Sequence, residues 1–371
     1  MKILNIVSSN IVQDPRILKQ MDTIKKLTNQ HLMIGMNNSR VTDERLSRLD
    51  FNYILFGKRK DTKTLVGKIL KRINYARNVI NTIKSYNPDV IHANDFDILF
   101  MVYLSGIKKT NIIFDAHEIY AKNSMINKYA IISKIVELIE KYIIKNKVNH
   151  FITVSHAAKS YYLEKGYKKM PNVITNAPLL DDSIKLSNQK NIDEVVYQGQ
   201  LVKNRGYEEF VQASNIQLGK KVKYIIRGFG PLEKELKNLA KMTNKNAEVD
   251  NPVEITELVR KLSESDIGVV LTKPISINYE YTVSNKIFEC IHAGLPVILS
   301  PVKEHYQLNK KYNFGIVIDK ITSEKIAEAV NKLANNEDLY YELRENAIKA
   351  SKELTWQNES KKLVELYKKS V

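Results

Sequence analysis

The feature that most restricts this chain is a rhythm: short apolar runs alternate with longer segments of helical period, and the pattern occurs twice. Parallel strands need a crossover long enough to hold a helix, so this alternation predicts parallel sheets covered by helices. In the first series strands are predicted at Ile3–Val7, His31–Gly35, Val90–Ala93, Ile112–Asp115 and His150–Val154. The second series predicts them at Glu194–Gln198, Lys223–Arg227, Ile267–Leu271, Pro296–Leu299 and Gly315–Ile318. A polar stretch over 181–193 divides the two and reads as a linker. With 371 residues against a typical domain of roughly 150, the expectation is an α/β chain of two doubly wound domains, 1–187 and 188–355.

Helix boundaries are marked in places. Asp14 before Pro15 reads as an N-cap and a first-turn proline, opening a helix through Leu27 with Arg16 in its first turn. Gly230 and Pro231 repeat the device before a helix over 232–242, and Ser284 or Asn285 caps a short helix that Gly294 stops. Ligands of doubly wound sheets bind beyond the carboxyl ends of the strands. That rule directs attention to 8–16, 92–97, 115–118, 199–206, 227–230 and 273–289.

A net charge of +17 and a pI near 9.5 imply attraction to something anionic, whether phospholipid, nucleic acid or a phosphorylated substrate. A coding bias toward Lys, Ile, Asn and Tyr explains part of it. The basic residues concentrate over Lys58–Lys84, where Asp61 is the single acid and Leu65, Ile69, Ile73, Ala76, Ile80 and Ile83 recur at helical spacing. This is a basic amphipathic helix, either docked on an anionic membrane surface or packed on the sheet with its charged face in water. A recognition-helix pattern is lacking, so no nucleic-acid partner is expected. The lone Cys290 excludes an intramolecular disulfide, and no apolar run approaches the roughly 20 residues of a membrane span. A cytoplasmic location is expected, with peripheral attachment to the inner face of the plasma membrane as the further possibility. Asp95 and Asp97 form a DxD pair of the kind that binds divalent metals, but two carboxylates at that spacing are common, and no metal or other cofactor is expected.

The segment YTVSNKIFECIHAGLP, 281–296, carries the most chemistry. Its helix start offers free N–H groups and a positive dipole end, and Lys286 adds a formal charge; together they suit a phosphate. Glu289 stands one turn further on, where a carboxylate can accept from two adjacent hydroxyls. On periodicity alone an ordinary capped helix with a solvated Lys and Glu fits as well. The stretch also resembles the signature region of family 4 glycosyltransferases, retaining enzymes of the GT-B fold. Their pattern runs Glu, seven residues, Glu, then small residues ending in Gly and Pro. FECIHAGLP matches the second half with Glu289 as the second Glu, whereas Tyr281 stands where the first Glu belongs.

Other segments carry the same resemblance. YQGQLVKNRGYEEF is similar to the opening strand and loop of the family's C-terminal domain, which implies donor contacts from Gly199 and Gln200 and a diphosphate contact from Arg205. Gln200 replaces one of the family's two cations, and Lys286 is inferred to make up the lost charge. IIRGFGPLEKELKNLA resembles the turn lining the nucleotide, implying roles for Arg227 and Gly228; Ser284 and Asn285 complete the implied donor site. In the N-terminal half SSNIVQDPRILKQ and FDAHEIY resemble two further family segments. They imply that His117 faces the sugar, and that Asp14, Arg16, Asn94 and Glu118 are acceptor-side candidates. The last helix, from Trp356 to Tyr367, is similar to one that crosses back to the N-terminal domain, which adds 356–371 to it.

The resemblance implies GT-B architecture, two Rossmann-like domains facing a central cleft. It implies a metal-independent retaining enzyme that moves a sugar from a nucleotide diphosphate to a hydroxyl, with UDP as the expected nucleotide. Retention in this family is attributed to same-face transfer, in which a leaving diphosphate oxygen takes the acceptor's proton and no protein nucleophile is needed. A lipid-linked glycan acceptor for capsule, teichoic or related bacterial surface polysaccharide accounts for the basic face. The alternatives are an epimerase of UDP-N-acetylhexosamines on the same fold, and a non-enzymatic basic binder.

Overall fold

The computed structural model describes residues 1–60, 64–123, 126–184, 186, 192–216, 219–243, 246–281 and 283–370. The chain divides into two compact units, residues 1–176 with 359–371, and residues 177–358. The expected boundary at 187–188 and residues 185 and 187–191 of the 181–193 linker fall outside the described residues.

The first unit runs β1 (Ile3–Ile6), α1 (Pro15–Lys25), β2 (His31–Met36), α2 (Asp43–Leu46), β3 (Tyr53–Phe56), α3 (Leu65–Tyr86), β4 (Val90–Asn94), α4 (Phe96–Ser105), β5 (Asn111–Ala116), α5 (Ala130–Lys147), β6 (His150–Thr153), α6 (His156–Glu164) and β7 (Asn172–Val173). Its seven strands lie in the order β3-β2-β1-β4-β5-β6-β7, every pair parallel. Strand order reverses between β1 and β4, the switch point where such sheets open for ligands.

In the second unit the order along the chain is β8 (Glu194–Gln198), α7 (Tyr207–Ala213), β9 (Lys223–Arg227), α8 (Glu233–Lys241), β10 (Ala247–Asp250), α9 (Leu258–Leu262), β11 (Ile267–Val270), α10 (Ile277–Tyr281), α11 (Asn285–His292), β12 (Val297–Leu299), α12 (Lys303–Tyr312), β13 (Gly315–Val317), α13 (Ser323–Ala334) and α14 (Glu337–Glu353). The six-stranded parallel sheet is ordered β10-β9-β8-β11-β12-β13, reversing between β8 and β11. Aromatics such as Tyr197, Tyr207, Phe210 and Tyr224 belong to one buried cluster, while Ile287, Phe288, Ile291 and Val297 belong to another. Burial on both faces explains why the central strands read as unbroken apolar runs. Two such parallel-sheet α/β domains are the GT-B architecture.

The local devices act as their chemistry dictates. Asp14 caps α1 by accepting from the N–H groups of Arg16 and Ile17, with Pro15 as first residue. Ser284 is the N-cap of α11 and makes no side-chain cap bond, and Gly294 ends the turn beyond that helix at φ +70°. Strands β3, β7 and β10 have no counterpart in the sequence reading. All four residues of β3 are half-buried, β7 has two residues, and β10 reads AEVD. Edge strands of this kind lack two-sided burial and therefore lack its apolar signature. Among the described residues, no helix is long and apolar enough to cross a membrane.

α15 (Trp356–Lys368) closes the chain. Its start is tied within the second unit by Trp356 N–H donating to the Pro178 carbonyl at 2.7 Å. From Glu359 on it belongs to the first unit, where the Glu359 carboxylate accepts from Thr175 N–H at 2.8 Å and Asn111 donates to the Ser370 carbonyl at 2.6 Å. Tyr367, wholly buried, sets its hydroxyl 2.6 Å from His92 Nδ1. Burial holds His92 below its usual pKa against the pull of Asp115, so the ring is neutral, and Nε2, 3.4 Å from Asp115, keeps the proton. Tyr367 therefore donates to Nδ1. Tyr367→Phe should cost about 1–3 kcal/mol by orphaning that nitrogen, and Tyr367→Ala about 3–5 kcal/mol by adding a cavity. Urea unfolding of the two variants checks this; equal midpoints for both and for the parent chain would show that α15 is not integral to the first unit.

Candidate functional site

In the first unit chemistry gathers at the carboxyl ends of β4 and β5. Asp115, fully buried, is its hub. Arg16 binds it through Nη2 at 2.7 Å and Nε at 3.0 Å, and Gln20 Nε2 donates at 2.7 Å. The Arg16 guanidinium, together with His117, outweighs burial and holds the Asp115 carboxyl well below the usual range. Arg16 is thus neither a surface arginine nor an open cation: it is 3% exposed, and its Nη1 donates to the Ile174 carbonyl at 3.0 Å. The reading of Arg16 as a contact for an anionic acceptor is corrected to a buried strut between α1 and β5.

His117 follows β5, its Nε2 3.4 Å from Asp115 and its Nδ1 3.6 Å from Asp95. Burial alone would lower its pKa, but the two carboxylates prevail and raise it. Nε2 lacks a well-aligned hydrogen-bond partner, the mark of a polar atom set for something else. Asp95 itself sits at φ +67° and accepts the His117 N–H at 3.0 Å. Asp97 pairs with Arg72 at 2.9 Å, so the two members of the DxD serve different partners. Asn94 is buried, donating to Asn5 at 2.6 Å and to the Ile6 carbonyl at 2.9 Å. Burial and the nearby Asp95 raise the Glu118 carboxyl above its usual range. Asp14 acts as the α1 cap.

In the second unit the ends of β8, β9 and β11 meet the start of α11. The loop after β8 lies directly against that after β9: a Cβ on Gly228 would stand 1.8 Å from the Gly199 carbonyl oxygen, and one on Gly230 would stand 2.4 Å from that of Leu201. On the other side, a Cβ on Gly199 would meet Lys286 Cε at 1.9 Å. Lys286 therefore lies across the Gly199 backbone. Burial, then the Arg205 guanidinium, push its amine down to about 8. Arg205 donates to Thr272 Oγ1 at 2.7 Å and lies 4.5 Å over the Tyr279 ring. The buried Tyr197 hydroxyl, 2.6 Å from the Arg205 carbonyl, anchors that loop. Among the described residues, neither Arg205 nor Lys286 has a carboxylate within ion-pairing distance. Glu289 pulls the Lys286 amine the other way without offsetting burial and Arg205, and two cations brought together without an ion-paired carboxylate are costly unless an anion completes them.

Behind this pair runs a chain that the sequence reading missed. Thr272 N–H donates to Ser300 Oγ at 3.0 Å, and Ser300 meets His305 Nδ1 at 3.1 Å. Burial drives His305 down to about 3, which keeps it neutral beside the cations. No pattern in the linear sequence ties Thr272 to residues 300 and 305; parallel strands β11 and β12 do. The position of the absent first Glu is occupied by Tyr281, whose hydroxyl accepts from Lys303 while the Lys303 amine lies 4.1 Å over its ring. Gln200 is exposed, and its carbonyl accepts from Tyr207 at 3.2 Å. Arg227 needs correction as a donor contact: it is 3% exposed, with Nε on Asp250 at 3.2 Å and Nη1 reaching Gln198 and the Lys261 carbonyl at 3.4 Å. Ser284, Asn285 and Glu289 sit at or just inside the start of α11. Thr282, within the expected 273–289 loop, is outside the described residues.

With both clusters at strand ends, family comparison decides the class. The Glycosyltransferase Family 4 model matches residues 49–177, and the Glycosyl transferases group 1 model matches 181–354. The chain is a glycosyltransferase of this type. No curated protein matches it by sequence. Solved structures share its fold: sucrose-phosphate synthase from Thermosynechococcus elongatus has a TM-score of 0.78 at 14% identity, covering 100% of this chain and 99% of that one. Anabaena HepE, in complex with UDP and glucose, aligns at 0.75 with 15% identity over 100% of both chains. S. aureus TarM, in complex with Fondaparinux, alpha-GlcNAc-glycerol and UDP, aligns at 0.71 with 12% identity over 99% of this chain and 100% of that one.

The Asp115 hub of this glycosyltransferase generates a stability test. Removing the guanidinium with Arg16→Met strands a buried carboxylate, which should cost about 3–5 kcal/mol in urea unfolding. Because the folded pKa of Asp115 is depressed, this contribution is present at neutral pH and fades as pH falls below about 4 toward the folded value. A gap between the two proteins that is constant down to acid unfolding would contradict the assignment.

Proposed function

We propose that this glycosyltransferase moves a sugar from a UDP-linked donor to a hydroxyl of a lipid-linked glycan, with retention of anomeric configuration, in the cytoplasm at the inner face of a bacterial plasma membrane. The observation that carries the donor assignment is the convergence of Arg205 and Lys286 beside the start of α11, with no carboxylate within ion-pairing distance of either among the described residues. A diphosphate supplies the absent negative charge, and the helix N–H groups add donors. HepE and TarM, two of the similar structures solved with UDP, favour uridine as the base.

In this reading Glu289 accepts from the ribose hydroxyls, and the Gly199 and Gly228 backbones approach the phosphates because neither carries a Cβ. The acceptor oxygen attacks the anomeric carbon as the bond from that carbon to the β-phosphate oxygen breaks. The acceptor's proton passes to a leaving phosphate oxygen, and UDP departs. Arg205, Lys286 and the α11 N-terminus stabilise the charge that develops on the leaving group. His117, its pKa raised by Asp95 and Asp115, contacts a hydroxyl of the sugar and positions it. Tyr281 and Lys303, the latter also 3.9 Å from the Glu280 carboxylate, take the place of the family's first Glu on the sugar side.

Calorimetric titration with UDP tests the site, and a screen of UDP-sugars for donor hydrolysis tests the reaction. Glu289→Gln should lower turnover at least tenfold; unchanged turnover would remove the donor assignment. Binding needs the charged form of Lys286, whose amine titrates at about 8, so UDP affinity should hold from pH 7 to near 8 and then fall by up to tenfold per unit above it. Lys286→Met should bind about tenfold or more weakly and flatten that profile. Gly199→Ala, which puts a methyl where the lysine stem lies, should reproduce the loss. The double variant should be no weaker than Lys286→Met alone, whereas additive losses would mean that Gly199 acts by another route.

A further inference from the structure

The crossover helix α3 buries only part of its length. Tyr75, Val79 and Ile83 are buried, but Leu65 is 74% exposed, Val66 68%, Ile69 50%, Leu70 53% and Ile73 47%. In α5 the same imbalance recurs at the start, with Ile131 77% exposed, Ile132 48%, Ile135 49% and Leu138 57%. Both helices are crossovers of one parallel sheet and both pack on α4, so their first turns stand at the carboxyl edge of the strands. Exposed apolar side chains gathered at one edge of a unit mark an interaction face.

Beside the ridge of α3 opens a groove of about 740 Å³. Lys58, Lys60, Lys71 and Arg77 bring cations to it, Asn74 and Asn78 bring amides, and none of its described lining residues is acidic. Leu70 both lines the groove and belongs to the exposed ridge, so the cationic cavity and the apolar surface are continuous. A ligand that satisfies both carries phosphate at one end and hydrocarbon at the other. We propose that the groove takes the phosphate head group of an anionic membrane lipid, while the first turns of α3 and α5 lie among its chains. A second copy of the chain fits poorly: α3 has no acidic residue, and a two-fold contact would set its lysines and arginines against their own kind. Nucleic acid would match the cations but leave the leucines and isoleucines against phosphate and sugar. The inference deepens the lipid-linked acceptor reading by naming the surface at which lipid is met, and it does not use the UDP site of the other unit.

Vesicle flotation tests it, with phosphatidylcholine alone and with phosphatidylcholine mixed with phosphatidylglycerol. The chain should float with the mixed vesicles. A cation near an anionic surface contributes about fivefold in affinity, so Lys71→Gln with Arg77→Gln should weaken binding about 25-fold. Ile69→Ser with Ile73→Ser should weaken it at least tenfold although no charge is lost. UDP calorimetry on the same variants controls for folding and should be unchanged; loss of UDP heat in the parent chain would sink the donor assignment and leave the vesicle result standing. Failure to float, flotation untouched by either pair, soluble glycerol phosphate binding as tightly as vesicles, or duplex DNA displacing vesicles through Lys71 and Arg77 would each overturn the proposal.

Discussion

Every strand of each sheet points the same way, and this constraint organises the molecule. A parallel sheet collects all its strand ends at one edge, so residues far apart in the chain become neighbours there without a local motif to announce them. Arg16, Asp95, Asp115 and His117 meet in this way in the first unit, and Arg205, Thr272, Lys286, Ser300 and His305 in the second. The helices between strands supply the second half of the device, since each begins at that same edge and offers free N–H groups to it.

The two clusters use charge in opposite senses. In the first unit positive and negative groups are matched and sealed: Asp115 faces Arg16, two histidines and Gln20, and the arginine has no opening to solvent. In the second, positive groups are gathered without an ion-paired carboxylate among the described residues, while a neutral His305 and two hydroxyls brace Arg205 without adding charge. The first arrangement fixes geometry. The second awaits an anion.

Central strands, the caps of α1 and α11, and the location of both sites at strand ends were legible in the sequence, because two-sided burial and capping leave local patterns. The edge strands β3 and β10 were not, since half-buried strands carry no such run. Nor could spacing reveal which arginines face a ligand. Arg227 ends β9 and Arg205 lies in the loop after β8 of the same sheet, yet only Arg227 finds Asp250 on a neighbouring strand. The linear chain names the charged residues, and the sheet register decides which of them are neutralised.

The path of α15 has a consequence for biosynthesis. The first unit is complete only when residues 359–371 return to it, so the whole second unit is in effect an insertion within the first. While the ribosome adds the intervening chain, on the order of ten seconds or more, the N-terminal sheet exists without the helix that caps His92 and Thr175. The second unit can finish folding on its own schedule, whereas the first must wait until residues 359–371 have emerged. Removing those residues thus strikes the half of the chain that was made first.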